Sequence, residues 1–113
     1  ANIVPWHIAS KKYNFKVIAA EILDDGSIDI EDLLNKINSK TKFISLTHMS
    51  NVTGSITKFE KIIEKIKNNK IPLLIDGCQY IAHRATDVSK LNCDFYVFSG
   101  HNLLHSSNHL MTY

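Results

Sequence analysis

From Thr41 to Gly100 the chain reads as strand, helix, strand, mixed crossover, strand: "TKFISLTH", "KFEKIIEKIKNN", "IPLLID", "GCQYIAHRATDVSKLNC" and "DFYVFSG". This alternation narrows the choice of fold more than any other feature. Strand-like segments separated by long crossovers pair in parallel, with the crossovers right-handed. The expectation is an α/β fold, three-layer α/β/α with a mostly parallel sheet. "IPLLID" lacks polar alternation, as a strand buried on both faces should. In the helix before it, Phe59, Ile62, Ile63 and Ile66 fall on one face and lysines on the other.

The first third fits the same scheme. "NIVPWHIASKKY" has Pro5 where a first helical turn tolerates it and ends in a basic pair, which predicts a short helix packing through Ile3, Trp6 and Ile8. "FKVIAAEIL" reads as a β-rich segment stopped by Asp24-Asp25-Gly26, with Gly26 free to take positive φ. Asp29 is placed to cap a second helix. Glu31 and Asp32 fall in its first turn, where the helix dipole favours carboxylates, and Ile30, Leu33, Leu34 and Ile37 form its apolar stripe.

Composition excludes several classes. At 113 residues and 44% hydrophobic, the chain has the size of one globular domain or part of one. A net charge of +2, with cations scattered among acids, gives no phosphate-tracking stripe, so no nucleic-acid partner is expected. Cys78 and Cys93 lack the spacing of a disulfide framework or zinc knuckle. Each is expected to be a small buried apolar residue in a reducing, cytoplasmic setting. There is no basic signal-peptide start and no apolar run long enough to span a bilayer, so no membrane partner is expected. The triplet Asn51-Val52-Thr53 fits a glycosylation acceptor only formally.

Three strand ends in a row are polar: His48 to Asn51, Asp76 to Gln79, and Ser99 to Asn102. In open α/β sheets, ligands bind outside the carboxyl ends of the strands, where loops converge and helix N-termini supply positive partial charge. A single strand-end Asp is commonly a structural cap; three polar ends together point to a shared ligand.

With these residues in view, "ANIVPW", "LTHMSNVTGSI" and "LLIDGCQYIAHRATDVSKLNCDFYVFSGH" resemble, in order and spacing, consecutive motifs of the SufS-type cysteine desulfurases. These belong to the class V aminotransferase family of pyridoxal phosphate enzymes, fold type I. The resemblance covers the whole chain but only the middle of such an enzyme. It implies that residues 1–113 are the central part of the cofactor-binding large domain, without the N-terminal segment and the C-terminal small domain. It also implies roles. Asp76, from D-G-x-Q, would pair with the pyridine nitrogen and keep it protonated, so that the ring serves as an electron sink. Gln79 would hydrogen-bond the ring's phenolic oxygen, and Asn51 would lie near that oxygen and the amino-acid substrate. Ser99 and His101, from S-G-H, match donors to the cofactor phosphate, with Gly100 leaving room for the backbone. His48 and His83 resemble positions near the cofactor edge.

One departure from the pattern is decisive for chemistry. The residue after S-G-H should be the lysine that holds the cofactor as a Schiff base, and here it is Asn102. An amide nitrogen is delocalised into its carbonyl and is not nucleophilic. The glycine-rich segment that should follow is replaced by His105, Ser106, Ser107, Asn108, His109 and Leu110. Two readings stand for this tail: a motif drifting under relaxed constraint, or a metal-binding face of His101, His105 and His109 if the segment were helical. Neither Cys78 nor Cys93 matches the persulfide-forming cysteine of the family, which with the substrate-gripping arginine belongs to the absent C-terminal domain. The expectation is a desulfurase-like chain, no catalytic residue assigned, inactive by itself. Its alternatives are a non-catalytic module that binds pyridoxal phosphate or another subunit, as a homo-oligomer or with a complementary chain, and one piece of a split enzyme.

Overall fold

A computed structural model describes residues 3–100. Three strands, β1 (Ile44–Thr47), β2 (Leu73–Asp76) and β3 (Phe95–Val97), form a wholly parallel sheet in the order β1-β2-β3. Ile44 pairs with Leu73 and Thr47 with Asp76, while Leu74 pairs with Phe95 and Asp76 with Val97. Because all three strands point the same way, their carboxyl ends share one edge. Helices α1 (Val4–Tyr13), α2 (Ile30–Lys36), α3 (Glu60–Ile66) and α4 (Cys78–His83), with a 3-10 helix at Val88–Leu91, fill the connections.

The core lies on one face of the sheet. Ile62, Leu73 and Ile75 are fully buried, and Leu33, Ile37, Ile44, Leu46, Phe59 and Ile66 pack around them from α2, α3 and β1. Removing such side chains from water contributes about 1.5–3 kcal/mol each. The apolar spacing in α2 and α3 places these side chains toward the sheet. Asp29 caps α2 as its sequence suggests, its side chain accepting from the Asp32 amide at 3.0 Å.

Several expectations are corrected. "FKVIAAEIL" forms no strand; its only ladder contact is an isolated antiparallel bridge between Ile22 and Ile28. Its backbone is satisfied elsewhere. The Glu21 amide donates to the Asp32 carboxylate at 2.8 Å, the Ala19 carbonyl accepts from Lys36 Nζ at 2.9 Å, and Leu23 and Ser27 close a tight turn at 2.8 Å. Helix α2 therefore takes the place of a neighbouring strand. Gly26, at φ 82°, does supply the left-handed residue of that turn.

"IPLLID" is buried on one face rather than two: Leu73 and Ile75 are at 0% exposure while Leu74 and Asp76 are half-buried. The opposite face carries Phe95 and Val97, both exposed, and is met through the ring of Trp6 in α1, 5.2 Å from that of Phe43. Of the three apolar residues expected to dock α1, only Trp6 is partly covered; Ile3 and Ile8 are exposed. The strand expected from Thr41 to His48 is shortened at its start. The Asn38 amide donates to Thr41 Oγ1 and the Thr41 amide to the Asn38 carbonyl, forming a turn that delays pairing until Ile44. Cys78 and Cys93 are free thiols, half-buried rather than buried.

Candidate cofactor site at the strand ends

The carboxyl edge of the sheet is tied together by the backbone. Past the last ladder pairs, the His48 amide donates to the Asp76 carbonyl and the Gly77 amide to the Val97 carbonyl, both at 2.8 Å. Three chain segments therefore leave the sheet at one level. Each carries one group of the residues singled out in the sequence.

After β1 the chain makes a compact loop closed by a bridge between Met49 and Ile56. Ser50 Oγ accepts from the Val52 and Thr53 amides at 3.2 Å, and Gly54, at φ 71°, turns the chain back. Asn51 sits exposed at the tip. The loop base is fixed from below: Thr57 donates through its amide to the His48 carbonyl at 2.9 Å and through Oγ1 to the Thr47 carbonyl at 2.7 Å.

Asp76 is the last residue of the central strand, and its Oδ1 accepts from the Cys78 amide at 3.1 Å. Gln79 follows one residue later in the first turn of α4, half-buried. The carboxylate is therefore anchored on one oxygen by its own turn. The Cys78 thiol is pushed up, first by burial and then by the neighbouring Asp76 carboxylate, against the lowering contribution of the Ser99 amide. A thiol held protonated in this way is the opposite of an activated nucleophile. Burial likewise raises Cys93. Ser99, beyond β3, is exposed, and its amide lies against Cys78, joining the second and third strand ends.

The structure thus brings Asn51, Asp76, Gln79 and Ser99 to one edge of the sheet. His101, Asn102, His105 and His109 lie outside the described residues. His83, at the end of α4, is exposed. His48 is the only buried polar or charged residue among the described ones, at 5% exposure. Burial holds its pKa down to about 4, so the imidazole is neutral at ordinary pH. Sequence reading gave His48 no partner, and the structure supplies three: Tyr80 stacked on it, with Phe59 and Tyr96 edge-on. The available signal was the position of Tyr96, whose register partner Ile75 points into the core.

The class-V aminotransferase family model matches residues 1–107. The chain belongs to the class-V aminotransferase family. These are pyridoxal-phosphate-dependent enzymes, and the motif resemblance is matched by the relatives found. A cysteine desulfurase of Wigglesworthia glossinidia brevipalpis is 46% identical over 104 residues, covering 91% of this chain and 25% of that protein. That of Serratia proteamaculans is 39% identical over 103 residues, again 91% and 25%. Among solved structures, the cysteine desulfurase CsdA from Escherichia coli superposes with a TM-score of 0.82 at 31% identity, covering 90% of this chain and 26% of that one. The apo cysteine desulfurase of Thermococcus onnurineus NA1 gives 0.77 at 31% identity, over 88% and 24%. The chain spans about a quarter of the length of these class-V relatives. No helix of the described residues is long and apolar enough to cross a membrane, and no cluster of three or more metal-ligating side chains occurs among them.

Proposed function

We propose that this chain is the central part of the pyridoxal phosphate-binding large domain of a SufS-type cysteine desulfurase. Its cofactor-binding residues are Asn51, Asp76, Gln79, Ser99 and His101. The observation that carries this reading is the placement of Asp76-Gly77-Cys78-Gln79 at the carboxyl end of the central parallel strand, with a second polar segment leaving the sheet on each side.

The donor set suits the group. An anionic carboxylate answers a protonated ring nitrogen, and hydroxyl and amide groups answer a phosphate and a phenolic oxygen. When bound, pyridoxal phosphate supplies the electron sink for bond cleavage at an amino-acid α-carbon. The protein's part is to orient and hold. Asp76 keeps one oxygen on the Cys78 amide, which fixes the plane of its carboxylate. Asn102 offers no amine, so on this reading it forms no covalent link to the cofactor and cannot move protons at the substrate carbon in a lysine's place.

The ancestral reaction on this reading removes sulfur from L-cysteine to leave L-alanine and an enzyme persulfide for iron–sulfur cluster assembly in the cytoplasm. The 113-residue chain by itself yields neither alanine nor sulfide from cysteine. The test is a visible absorbance titration of the purified chain and its Asn102→Lys variant with pyridoxal phosphate. Reversible binding by the parent and a new covalent-adduct band in the variant support the reading, whereas absence of binding by both removes it.

A second reading, a subunit-interaction module or one piece of a split enzyme, is favoured by the apolar surface left open on β3: Phe95 is 52% and Val97 43% exposed. Elution as a dimer or larger species in size-exclusion chromatography is its expected outcome.

A further inference from the structure

On the core face of the sheet, directly beneath the Asp76 turn, four rings meet. His48 lies stacked on Tyr80, centroids 3.6 Å apart and planes 9° from parallel, and is met edge-on by Phe59 at 5.5 Å and Tyr96 at 5.8 Å. The Tyr96 hydroxyl and His48 Nδ1 share a hydrogen bond of 2.9 Å. The Tyr96 phenol also fills the space that a side chain at position 77 would occupy, so its ring rests against the Gly77 backbone. One cluster therefore touches the end of β1 through His48, the turn after β2 through Gly77, β3 through Tyr96, and α4 through Tyr80.

The backbone ladder holds Asp76 but stops short of Gln79. Its last bond on this side is from the Gly77 amide to Val97, and beyond it comes a six-residue helix in which Ile81 is the one buried residue. A helix that short has no stability of its own, so its direction is set by side-chain packing. Tyr80, the residue after Gln79, is fixed on the face of His48, and His48 is fixed by Tyr96.

We propose that Tyr96 and His48 are positioning residues for the Asp76 to Gln79 turn, their shared hydrogen bond and the His48–Tyr80 stack setting the direction in which Asp76 and Gln79 meet the cofactor. The inference deepens the cofactor reading above and rests on it.

The experiment pairs amide hydrogen exchange with pyridoxal phosphate titration on the 113-residue chain, its Tyr96→Phe variant and a Leu34→Ala variant. Leu34 packs against the core from α2, outside the ring cluster. Tyr96→Phe keeps the ring against Gly77 and removes only the hydroxyl, so a loss of roughly five- to tenfold is expected in protection of the Cys78 and Ile81 amides, which donate to Asp76 Oδ1 and the Gly77 carbonyl, with a similar loss in affinity. The Leu73 and Ile75 amides report the whole fold and should change far less. Leu34→Ala should lower protection everywhere in step and leave affinity as in the parent. Should Tyr96→Phe fold poorly, His48→Phe keeps a ring for the stack without the hydrogen bond and is expected to give the same local effect.

Unchanged protection of the Cys78 and Ile81 amides, or a fall only in step with Leu73 and Ile75, overturns the proposal. So does a local fall in protection with unaltered affinity. If the parent does not bind pyridoxal phosphate at all, it is the cofactor reading that falls, and the exchange data alone then decide whether the rings hold the turn.

Discussion

The imidazole of His48 lies flat on the phenol ring of Tyr80, 3.6 Å between centroids, and this pair joins the end of β1 to the helix that begins just after Asp76. A histidine stacked and buried in this way is held in its neutral form at ordinary pH. Its pKa of about 4, against 6.5 for a free side chain, expresses the cost of bringing a charge into that environment. The native state thus resists protonation where the unfolded chain accepts it. The stability contributed is fully present above pH 6.5 and is lost as pH falls toward 4. Denaturant titrations at pH 7, 5.5 and 4 should show a loss of about 3 kcal/mol across this window. A His48→Gln variant should start less stable and lose much less. Asp25, Asp32 and Asp87, whose pKa values are lowered by the Ser27 hydroxyl, Lys36 and the Ser89 hydroxyl respectively, act below their usual value of 3.8 and so outside this window.

Gly77 and Gly54 separate two reasons for being glycine. Gly77 has an ordinary φ of −98°, but an added methyl would run into the Tyr96 ring, whereas Gly54, at φ 71°, has open space around it. Gly77→Ala should therefore cost about 1–3 kcal/mol through overpacking. Gly54→Ala should cost about 1 kcal/mol through backbone strain alone. In a Tyr96→Ala background the Gly77→Ala cost should largely vanish, while the Gly54→Ala cost should persist. Thermal unfolding of the six proteins in this double comparison reads the coupling directly.

Helix α2 is set by one side chain more than by its length. Asp29 accepts from the Asp32 amide, and Asp32 in turn accepts from the Glu21 amide and pairs with Lys36 at 2.8 Å. Asp29→Ala should destabilise the chain by about 1 kcal/mol. Asp32→Ala removes the acceptor that holds the segment before Gly26 and should, beyond its own cost, raise proteolytic cleavage between residues 15 and 23. Limited proteolysis of both variants distinguishes the local cap from the tether.

Helices α2 and α3 were legible because their signals are local: the Asp29 cap and the spacing of Phe59, Ile62 and Ile66 need no partner to be recognised, whereas α4 lay inside a stretch read only as a mixed crossover. The parallel sheet followed from the crossovers. What could not be read was partner choice. "FKVIAAEIL" has the composition of a strand, but its backbone is taken up by Asp32 and Lys36 of α2, which no period within the segment announces. The uniform apolarity of "IPLLID" likewise concealed that one face is fully covered by α2 and α3 while Leu74 and Asp76 on the other are only half-buried. For the candidate site, D-G-C-Q and the flanking strand ends singled out Asp76, Gln79, Asn51 and Ser99, which the fold brings to one edge of the sheet. The ring cluster under them depends on contacts between residues 48, 80 and 96, and sequence spacing carries no record of such distances.

Asp76 offers the sharpest separation of fold from binding. Asp76→Asn keeps an oxygen that can accept from the Cys78 amide, so the turn and the first residues of α4 should survive with little change in melting temperature. The charge that would answer a protonated pyridine nitrogen is gone. Hydrogen bonds to charged groups are worth about 1.5–3 kcal/mol, so affinity for pyridoxal phosphate should fall tenfold to a hundredfold. Asp76→Ala removes the acceptor as well, and should lower both melting temperature and affinity. Equal binding by the parent and Asp76→Asn, measured by absorbance at a pH where the ring nitrogen is protonated, would place the cofactor's ring away from this carboxylate and leave the D-G-C-Q turn a structural cap.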